Sequence, residues 1–454
     1  MDMRRPRAGF IGFGEVNTPR ELIEGKCRAA AEALERRGIE ICWTDPVADD
    51  PEGIAEARAR AELSAADFDV LVVCCAGWIP SHSVIDVIDR FAHRPMVLWG
   101  LTGWYEDGRL ITTADQAATT GLRAPMEALG YRFTYVYDTP DAPYGGADAV
   151  ARSCEVARAI SLLRGARVAS VGHRDMKLHM TLFDPISLRA ALGTEVETVD
   201  TLEIAQRMER VDAAEVTPVI ADVRRDWQFD REPSDEMLDR PVRLYLAIME
   251  KVRERGYAAV SVIDVDGVKK LMGFPSAPAL MLLADRGNLA TTPENDTLGN
   301  VTQLVVRYLT GQVAPYFEFY EFMRDRVLVG VPDYIPAAAA EGGVRVRLAK
   351  FGELSEGVLN VSKVKTGRVT LCRLGNRGAR YRMHIVTGEA VTPQPWEEAG
   401  WTPPAPQLPS LEVILDTPVP EFASKVLGQH YIVAWGDQRD RLEELCRLTG
   451  IEVI

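Results

Sequence analysis

The chain has 454 residues and a mass of 50.2 kDa, a length that predicts about three domains and a well-buried core. Hydrophobic residues make up 47% and charged residues 26% of the sequence, which excludes collagen-like, low-complexity and largely disordered proteins. The formal net charge is −14. Since no basic cluster offsets this charge, we expect no nucleic-acid partner.

Apolar runs in the sequence are short. None reaches the roughly 18 residues of a membrane-spanning helix, and the basic start MDMRRPRAGF lacks the apolar core of a signal peptide. We therefore expect no membrane association and a cytoplasmic location. The seven cysteines are scattered and form no CxxC pair, which favours reduced thiols over disulfides or a zinc site.

The first third of the chain alternates apolar strands with amphipathic helices. RAGFIGFG, IEICWTD, FDVLVVCCAG and RPMVLWGL have strand character, and RELIEGKCRAAAEALERRG predicts a helix that ends at Gly38. This βαβ spacing predicts a parallel sheet with helices on both faces. We assign it to a first α/β domain, residues 1–165.

The same pattern restarts and then changes. ARVASVGH, TEVETVD and YAAVSVIDV are predicted strands and VRLYLAIMEKVRERG a predicted helix, which gives a second α/β domain over 166–312. RVRLAKFGE, EGVLNVSKVKTGRVTLCRLG and RYRMHIVTGEAV alternate with period two. The predicted fold is therefore two consecutive open parallel-sheet α/β domains and an antiparallel, barrel-like domain over 313–454, covered by the long ordered loop VTPQPWEEAGWTPPAPQLP.

Common catalytic motifs are missing from the sequence. GFIGFGEV lacks the third glycine of a dinucleotide fingerprint, so we predict a plain turn there and no nucleotide cofactor. GxSxG, HExxH and Walker A patterns are absent as well. Serine hydrolases of that type, zinc proteases and P-loop enzymes therefore lose their main support.

Carboxylates concentrate in the segment TPENDTLGNVTQLVVRYLTGQVAPYFEFYEF. Glu294 precedes a predicted helix, where an acidic residue is also favoured by the helix dipole. Glu318 and Glu321 lie among aromatic residues and could equally be edge-strand carboxylates. His430 stands apart from the other five histidines because it follows a polar glycine loop just before a strand. The residues alone leave open whether these groups bind a metal or move protons.

Several segments, in order, resemble the L-fucose isomerase and L-arabinose isomerase superfamily, and in particular its L-fucose isomerase branch. They are RELIEGKCRAAAEAL, FDVLVVCCAGWIPS, RPMVLWG, LLRGARVASVGHR, FDPISLRAALGTEVETVD, ENDTLGNVTQLVVRYLTG, GRVTLCRLG and HYIVAWGDQRDRLEELCRLTGIEV. This resemblance covers nearly the whole chain. It implies a metal-dependent aldose–ketose isomerase.

The resemblance also implies a set of site residues. Glu294, Glu318 and His430 match the ligands of one divalent cation, usually Mn²⁺, with Mg²⁺ or Co²⁺ as alternatives, and the two glutamates match the groups that move the proton. Asp296 completes the Glu-x-Asp turn. Trp78 matches a substrate-contacting tryptophan from a neighbouring subunit, which implies a trimer or hexamer. The further expected sugar contacts are Asp296, Arg20 and Tyr320.

One segment departs from the family pattern. VLVGVPDYIP, with Gly330, Val331 and Pro332, stands where relatives carry a histidine-containing motif. This difference weakens an arabinose isomerase assignment, and the sugar stays open. The alternatives are a related enzyme that acts on a modified sugar or natural-product intermediate, and an inactive sugar-binding homologue.

Overall fold

The computed structural model describes residues 4–49, 51–331, 334–350, 356–393 and 409–454. The chain separates into two compact units. The N-terminal unit comprises Asp2–Leu162 and Glu444–Gly450, and the larger unit comprises Leu163–Glu443 and Ile451–Ile454. The predicted boundary at residue 312 lies inside the larger unit, and the division into three domains stays a prediction.

The first part of the chain alternates strands and helices. Its elements in order are β1 (Arg7–Gly14), α1 (Arg20–Glu35), β2 (Glu40–Trp43), β3 (Val47–Ala48), α2 (Ile54–Ala65), β4 (Val70–Cys75), α3 (Ser81–Ile88), β5 (Met96–Gly100), β6 (Trp104–Glu106), β7 (Arg109–Ile111), α4 (Asp115–Ala128), β8 (Phe133–Tyr137) and α5 (Ala147–Gly165).

A parallel sheet forms the centre of the N-terminal unit. Its strand order is β2-β1-β4-β5-β8, with β3 also paired to β1. Every residue of β4, VLVVCC, is buried, as expected of a central parallel strand that is covered on both faces. Separate apolar clusters form around Phe10 and Trp99 and around Ile11 and Leu98. The prediction of a parallel sheet with two covered faces is confirmed, and all seven cysteines are free thiols.

The remaining elements begin near residue 166. In order they are β9 (Arg167–Val171), α6 (Pro185–Leu192), β10 (Glu195–Val199), α7 (Thr201–Arg210), α8 (Ala213–Asp226), β11 (Gln228–Phe229), α9 (Asp235–Arg255), β12 (Ala259–Val262), a π-helix (Asp264–Met272), α10 (Ala277–Asp285), β13 (Ala290–Thr292), α11 (Thr297–Thr310), β14 (Tyr316–Phe322), β15 (Arg326–Gly330), β16 (Arg345–Lys350), β17 (Glu356–Asn360), β18 (Gly367–Arg377), β19 (Arg380–Val391), β20 (Ser410–Leu415), α12 (Val419–Lys425), β21 (His430–Trp435), α13 (Arg439–Thr449) and β22 (Glu452–Val453).

A second parallel sheet has the order β10-β9-β12-β13. Ser261 of β12 pairs with Thr292 of β13. The chain segments that leave β12 and β13 therefore emerge side by side at the same edge, because parallel strands end on the same side of a sheet. This confirms the predicted restart of α/β structure, and it places the π-helix next to the ENDT turn.

The C-terminal part is rich in antiparallel structure, as predicted. One sheet has the order β18-β21-β14-β15-β20-β19-β22, with an additional β18–β19 pairing, and a smaller sheet has the order β11-β16-β17. The strand β14 pairs with β21 on one side and β15 on the other. The edge-strand alternative is therefore wrong for Glu318, which pairs with both Gly330 and His430. Glu321 pairs with Leu328 of β15, beyond the part of β14 that pairs with β21.

Two further findings concern sequence predictions. Most of the expected loop over the β-rich region, including Trp396 and Trp401, lies outside the described residues. No helix within the described ranges is long and apolar enough to cross a bilayer.

Candidate metal and proton-transfer site

Five of the predicted site residues belong to the larger unit. Glu294 and Asp296 follow β13, Glu318 is the third residue of β14, and His430 is the first residue of β21. Tyr320 lies two residues after Glu318 on the same strand. Strand pairing closes the sequence distance between Glu318 and His430.

Trp78 and Arg20 belong to the N-terminal unit. Trp78 follows β4, is 40% exposed, and its backbone N–H donates to the Thr113 carbonyl over 2.7 Å. Arg20 begins α1, and its Nε donates to Glu24 over 2.6 Å. Both side chains are therefore available at the surface of their own unit, and their predicted sugar contacts stay predictions.

Strand register brings Glu318 and His430 together. The two residues are direct partners in the antiparallel pair β14–β21, so their side chains project on the same face. The distance from His430 Nε2 to Glu318 Oε2 is 3.8 Å. The ring of Tyr316 stacks on His430 with centroids 4.4 Å apart and an interplanar angle of 20°, which fixes the plane of the imidazole.

Glu294 approaches the same imidazole from a different sheet. Its Oε2 lies 3.4 Å from His430 Nε2 and accepts no hydrogen bond from any described residue. His430 is 1% exposed and the Glu294 side chain 12% exposed. Two carboxylates and an imidazole from three separate segments thus converge in a nearly closed environment.

The backbone of Glu294 is held in an uncommon conformation. Its φ is 57° and that of Asn295 is 46°, a left-handed region that costs roughly 1–2 kcal/mol for residues with a Cβ. The Glu294 N–H donates to Asp264 Oδ1 over 2.7 Å. The Asn295 N–H donates to the Val262 carbonyl over 2.8 Å, and its amide side chain donates to the His173 carbonyl over 2.8 Å. These bonds offset the strain and fix the turn.

Burial shifts the pKa values of Glu294 and His430 in opposite directions. Burial raises the pKa of Glu294 well above its usual range, and the nearby carboxylates of Asp264 and Glu318 raise it further. Burial lowers the pKa of His430 to about 3. His430 is therefore neutral at physiological pH, and a neutral imidazole has a lone pair for a metal or a proton.

Asp296 does not reach a substrate surface. It is fully buried and caps α11 by accepting the Gly299 N–H over 3.0 Å. It also accepts a bond from the Tyr316 hydroxyl over 2.8 Å and a two-armed ion pair from Arg373. Burial alone would raise the pKa of Asp296, but Arg373 outweighs it and the pKa is lowered. The expected sugar contact by Asp296 is not what this geometry provides, because every acceptor position is already used.

Tyr320 packs closely against Gly330 beside Glu318. Gly330 is the direct partner of Glu318 in β15, and a Cβ at this position would lie 2.5 Å from the Tyr320 ring. The glycine of the divergent VGVPDYIP segment therefore makes room for the aromatic ring. Val331 is buried, and Pro332 lies outside the described residues.

Three contributors were missed from the sequence. Asp264 and Lys269 belong to the π-helix after β12, and Arg373 is a buried cation within β18. An arginine inside the apolar alternation of GRVTLCRLG is a usable signal, because a buried guanidinium requires an anionic partner. The aspartate at the end of the predicted strand YAAVSVIDV is another, because its neighbour in the sheet leads to Glu294.

No family model matches the chain. Similar curated proteins include L-fucose isomerases of Escherichia coli strain SMS-3-5 / SECEC and of Escherichia coli O1:K1 / APEC, each 20% identical over 332 residues that cover 64% of this chain and 55% of the relative. The chain thus spans about half the length of the curated relatives it matches. These similarities indicate a distant relationship to L-fucose isomerase.

Comparison of solved structures gives weaker results. A periplasmic solute-binding protein of an ABC transporter from Actinobacillus succinogenes 130z with bound D-allose is 14% identical, covers 68% of this chain and 93% of its own, and has a TM-score of 0.18. The periplasmic component of an arabinose transporter from Shewanella sp. ANA-3 is 12% identical, covers 67% and 86%, and has a TM-score of 0.17. TM-scores this low give no evidence of a shared fold.

Proposed function

We propose that the chain is a metal-dependent aldose–ketose isomerase of the L-fucose isomerase type. The observation that carries this proposal is the convergence of three groups, with His430 Nε2 at 3.4 Å from Glu294 Oε2 and 3.8 Å from Glu318 Oε2. The distant similarity to L-fucose isomerase supports the same class of reaction.

The three side chains fit a divalent cation by their chemistry. Two carboxylates and an imidazole are a donor set suited to Mn²⁺, Mg²⁺ or Co²⁺, and we propose Mn²⁺. Within the described residues, no group of three such side chains is already arranged as a metal site. The buried Glu294 Oε2, which has no hydrogen-bond donor there, supports a missing positive partner. When bound, the cation would supply Lewis-acid stabilisation of negative charge on the sugar oxygens.

The protein's own groups account for the proton movement. Isomerisation takes a proton from C2 of the aldose and returns one to C1, and carboxylates positioned at the reacting carbons can serve as base and acid. We assign these roles to Glu294 and Glu318. The near-complete burial of Glu294 and His430 excludes water from the transferred proton. Tyr320, beside Glu318, is the aromatic surface that we propose for the sugar's C–H groups.

Asp296 has a positioning role in this proposal in place of a sugar contact. It connects Arg373 to Tyr316, and Tyr316 in turn stacks on His430. Through this chain of contacts, Asp296 fixes the plane of the imidazole. A rigid shell of this kind holds reacting groups in the geometry that catalysis requires.

We also infer a barrel-like closure of the sheet that carries Glu318 and His430. The pairings β18–β21, β21–β14, β14–β15, β15–β20, β20–β19 and β19–β18 follow a ring, which supports such a closure. In a closed sheet, β14 and β21 both have neighbours on each side. The Glu318–His430 register would then be held rigidly.

The proposal includes an oligomer, a trimer or hexamer, in which Trp78 and Arg20 of one copy contact the sugar bound by another. Exposure of Trp78 on its own unit supports this arrangement. Trp78→Ala and Glu294→Gln homo-oligomers should each be inactive, and mixed oligomers refolded from both should regain part of the activity. Activity that stays absent in verified mixed oligomers would contradict a contribution from the neighbouring subunit.

The experiment for the proposed reaction is aldose-to-ketose conversion with added manganese. L-fucose, D-arabinose, L-arabinose and D-ribose are tested with the unmodified protein and with Glu318→Gln and His430→Ala. Conversion should be lost in both variants and in chelator. The matched control is Glu321→Gln, an exposed carboxylate three residues further along β14, which should keep full activity.

Each outcome of this experiment has a meaning. Manganese binding that His430→Ala abolishes, without conversion of any sugar in the panel, would retain the site and point to a modified sugar or another polyhydroxylated substrate. Binding of a sugar without manganese or conversion would favour the inactive sugar-binding alternative. Conversion that persists in both variants would overturn the site assignment.

A further inference from the structure

A buried ion pair lies next to Glu294. Lys269 Nζ is 3.0 Å from Asp264 Oδ2, and the two side chains are 3% and 1% exposed. The Ser276 hydroxyl donates to the same Oδ2 over 3.1 Å. The other oxygen, Oδ1, accepts the Glu294 backbone N–H over 2.7 Å. The two oxygens of Asp264 therefore have distinct tasks.

The π-helix explains how Lys269 reaches Asp264. Its backbone bonds span five residues, as in the donation from the Val268 N–H to the Ile263 carbonyl over 3.2 Å and from the Gly273 N–H to the Val268 carbonyl over 2.9 Å. This wider turn stacks residues five positions apart. Lys269 is five positions after Asp264. A helical segment of this kind is uncommon and is frequently found at functional sites.

We infer that Asp264, with Lys269 as its counter-ion, is a positioning residue that holds the strained backbone of Glu294 and so directs the Glu294 carboxylate toward His430. This inference rests on the proposed function and adds a role that lies outside the three proposed ligands. Glu294 is in the left-handed region, and the bond to Asp264 anchors its amide there. Strained residues persist where surrounding contacts determine them, and they cluster at functional sites.

Lys269 makes this arrangement tolerable in a site that already holds several carboxylates. An ionised Asp264 near Glu294 would otherwise add an uncompensated buried charge, which is costly. With Lys269 in place, Asp264 can present a strong charge-assisted acceptor to the Glu294 amide. The ammonium also acts on Glu294 itself, since it lowers the Glu294 pKa against the larger effects of burial and neighbouring carboxylates.

Two double variants separate the hydrogen bond from the charge. Asp264→Asn with Lys269→Met removes both charges and keeps an oxygen that can accept the Glu294 N–H. Asp264→Leu with Lys269→Met removes the acceptor at nearly the same side-chain volume. Mn²⁺ affinity, measured by calorimetric titration, should stay close to that of the unmodified protein in the Asn variant. It should fall about 10- to 100-fold in the Leu variant, the usual effect of removing a group that orients a ligand.

Amide hydrogen exchange gives a second readout that needs neither metal nor sugar. The amides around Glu294 should exchange faster in the Leu double variant than in the Asn double variant. The matched control is Asp69→Leu in the N-terminal unit. Asp69 is also buried, also accepts a backbone N–H, that of Arg7 over 3.0 Å, and also pairs with an arginine, Arg4. That control should lower thermal stability without changing Mn²⁺ affinity.

The outcomes distinguish this inference from the proposed function. Equal Mn²⁺ affinity in the two double variants, or a loss in the Asn variant as large as that expected for Leu, would overturn the positioning role. The Asn variant keeps the test decisive even if the Leu variant does not fold. If the unmodified protein binds no Mn²⁺, the proposed function fails. The role of Asp264 is then tested by comparing amide exchange around Glu294 in the two double variants.

Discussion

Glu294 and Asp296 are two buried carboxylates in one turn, and their surroundings are opposite. Asp296 accepts bonds from Gly299, Tyr316 and both arms of Arg373. Glu294 presents to the site an oxygen that accepts no bond in the described parts of the chain. Burial removes water from both carboxylates, but only Asp296 has hydrogen bonds from the protein to both of its oxygens in place of water. The contrast separates a structural carboxylate from one that is kept for a ligand or a proton.

The largest expected effect is on Glu294 itself. Glu294→Gln should lower turnover by about 10²- to 10⁴-fold, the usual contribution of a positioned acid or base. The same change should leave thermal stability equal or higher, because it replaces a buried carboxyl group whose Oε2 has no hydrogen-bond donor among the described residues. Turnover on the converted sugar and thermal unfolding measure the two effects. Retained turnover, or a large loss of stability, would place Glu294 in the same class as Asp296.

Asp296→Asn tests the other side of the contrast. It leaves the Arg373 guanidinium buried and unmatched, and breaking a buried pair in this way costs about 3–5 kcal/mol. We expect that loss in the free energy of unfolding, measured with denaturant. Adding Arg373→Met should recover part of it. A change below about 1 kcal/mol, the size of an exposed ion pair, would show that the pair does not anchor the turn.

Periodicity predicted the fold well because most of it follows local rules. The buried run VLVVCC became a central parallel strand, and RYRMHIVTGEAV became β19. The place of β14 inside its sheet was not predictable, because strand order depends on pairings between residues far apart in sequence. The proposed barrel-like closure depends on the same long-range pairings.

The residues of the candidate site also fall into those that were predicted and those that were missed. Glu294, Glu318 and His430 were selected because they match family positions, and the structure brings them together. Asp264 and Lys269 were missed because their partnership depends on a π-helix, and helical periodicity in sequence does not distinguish a π-turn from an α-turn. The ion pair between Asp296 and Arg373 joins residues 77 positions apart and was not predictable from the sequence. Asp296 was therefore expected to contact sugar.

Two buried histidines on one sheet also differ in whether a hydrogen-bond partner is present. His384 Nδ1 is 2.7 Å from the Tyr431 hydroxyl, whereas His430 Nδ1 has no partner among the residues described. Burial lowers the pKa of His384 to about 4. The folded state therefore binds fewer protons than the unfolded state between about pH 4 and 6.5, and stability is lost as the pH falls through that window.

The contribution of His384 to this loss should be about 2 kcal/mol between pH 7 and pH 5. His384→Gln removes the titrating group, so its unfolding free energy should fall less steeply over that range than that of the unmodified protein. His82→Gln, at an exposed position, is the control and should leave the slope unchanged. Equal slopes in all three proteins would mean that burial does not lower the pKa of His384 in the folded state.

Competition between a proton and a metal ion gives the most direct test of the contrast. Because burial and neighbouring carboxylates raise the pKa of Glu294, binding of Mn²⁺ must displace a proton when the pH is below that pKa. Mn²⁺ affinity should therefore rise with pH, by about tenfold per pH unit for one displaced proton. His430, already neutral, adds nothing to this slope above about pH 3. Titrations between pH 5 and 8 measure it. In Glu294→Gln the slope should vanish along with most of the affinity, whereas in Asp296→Asn it should persist, since the proton that the metal displaces belongs to Glu294 and not to the saturated carboxylate two residues away.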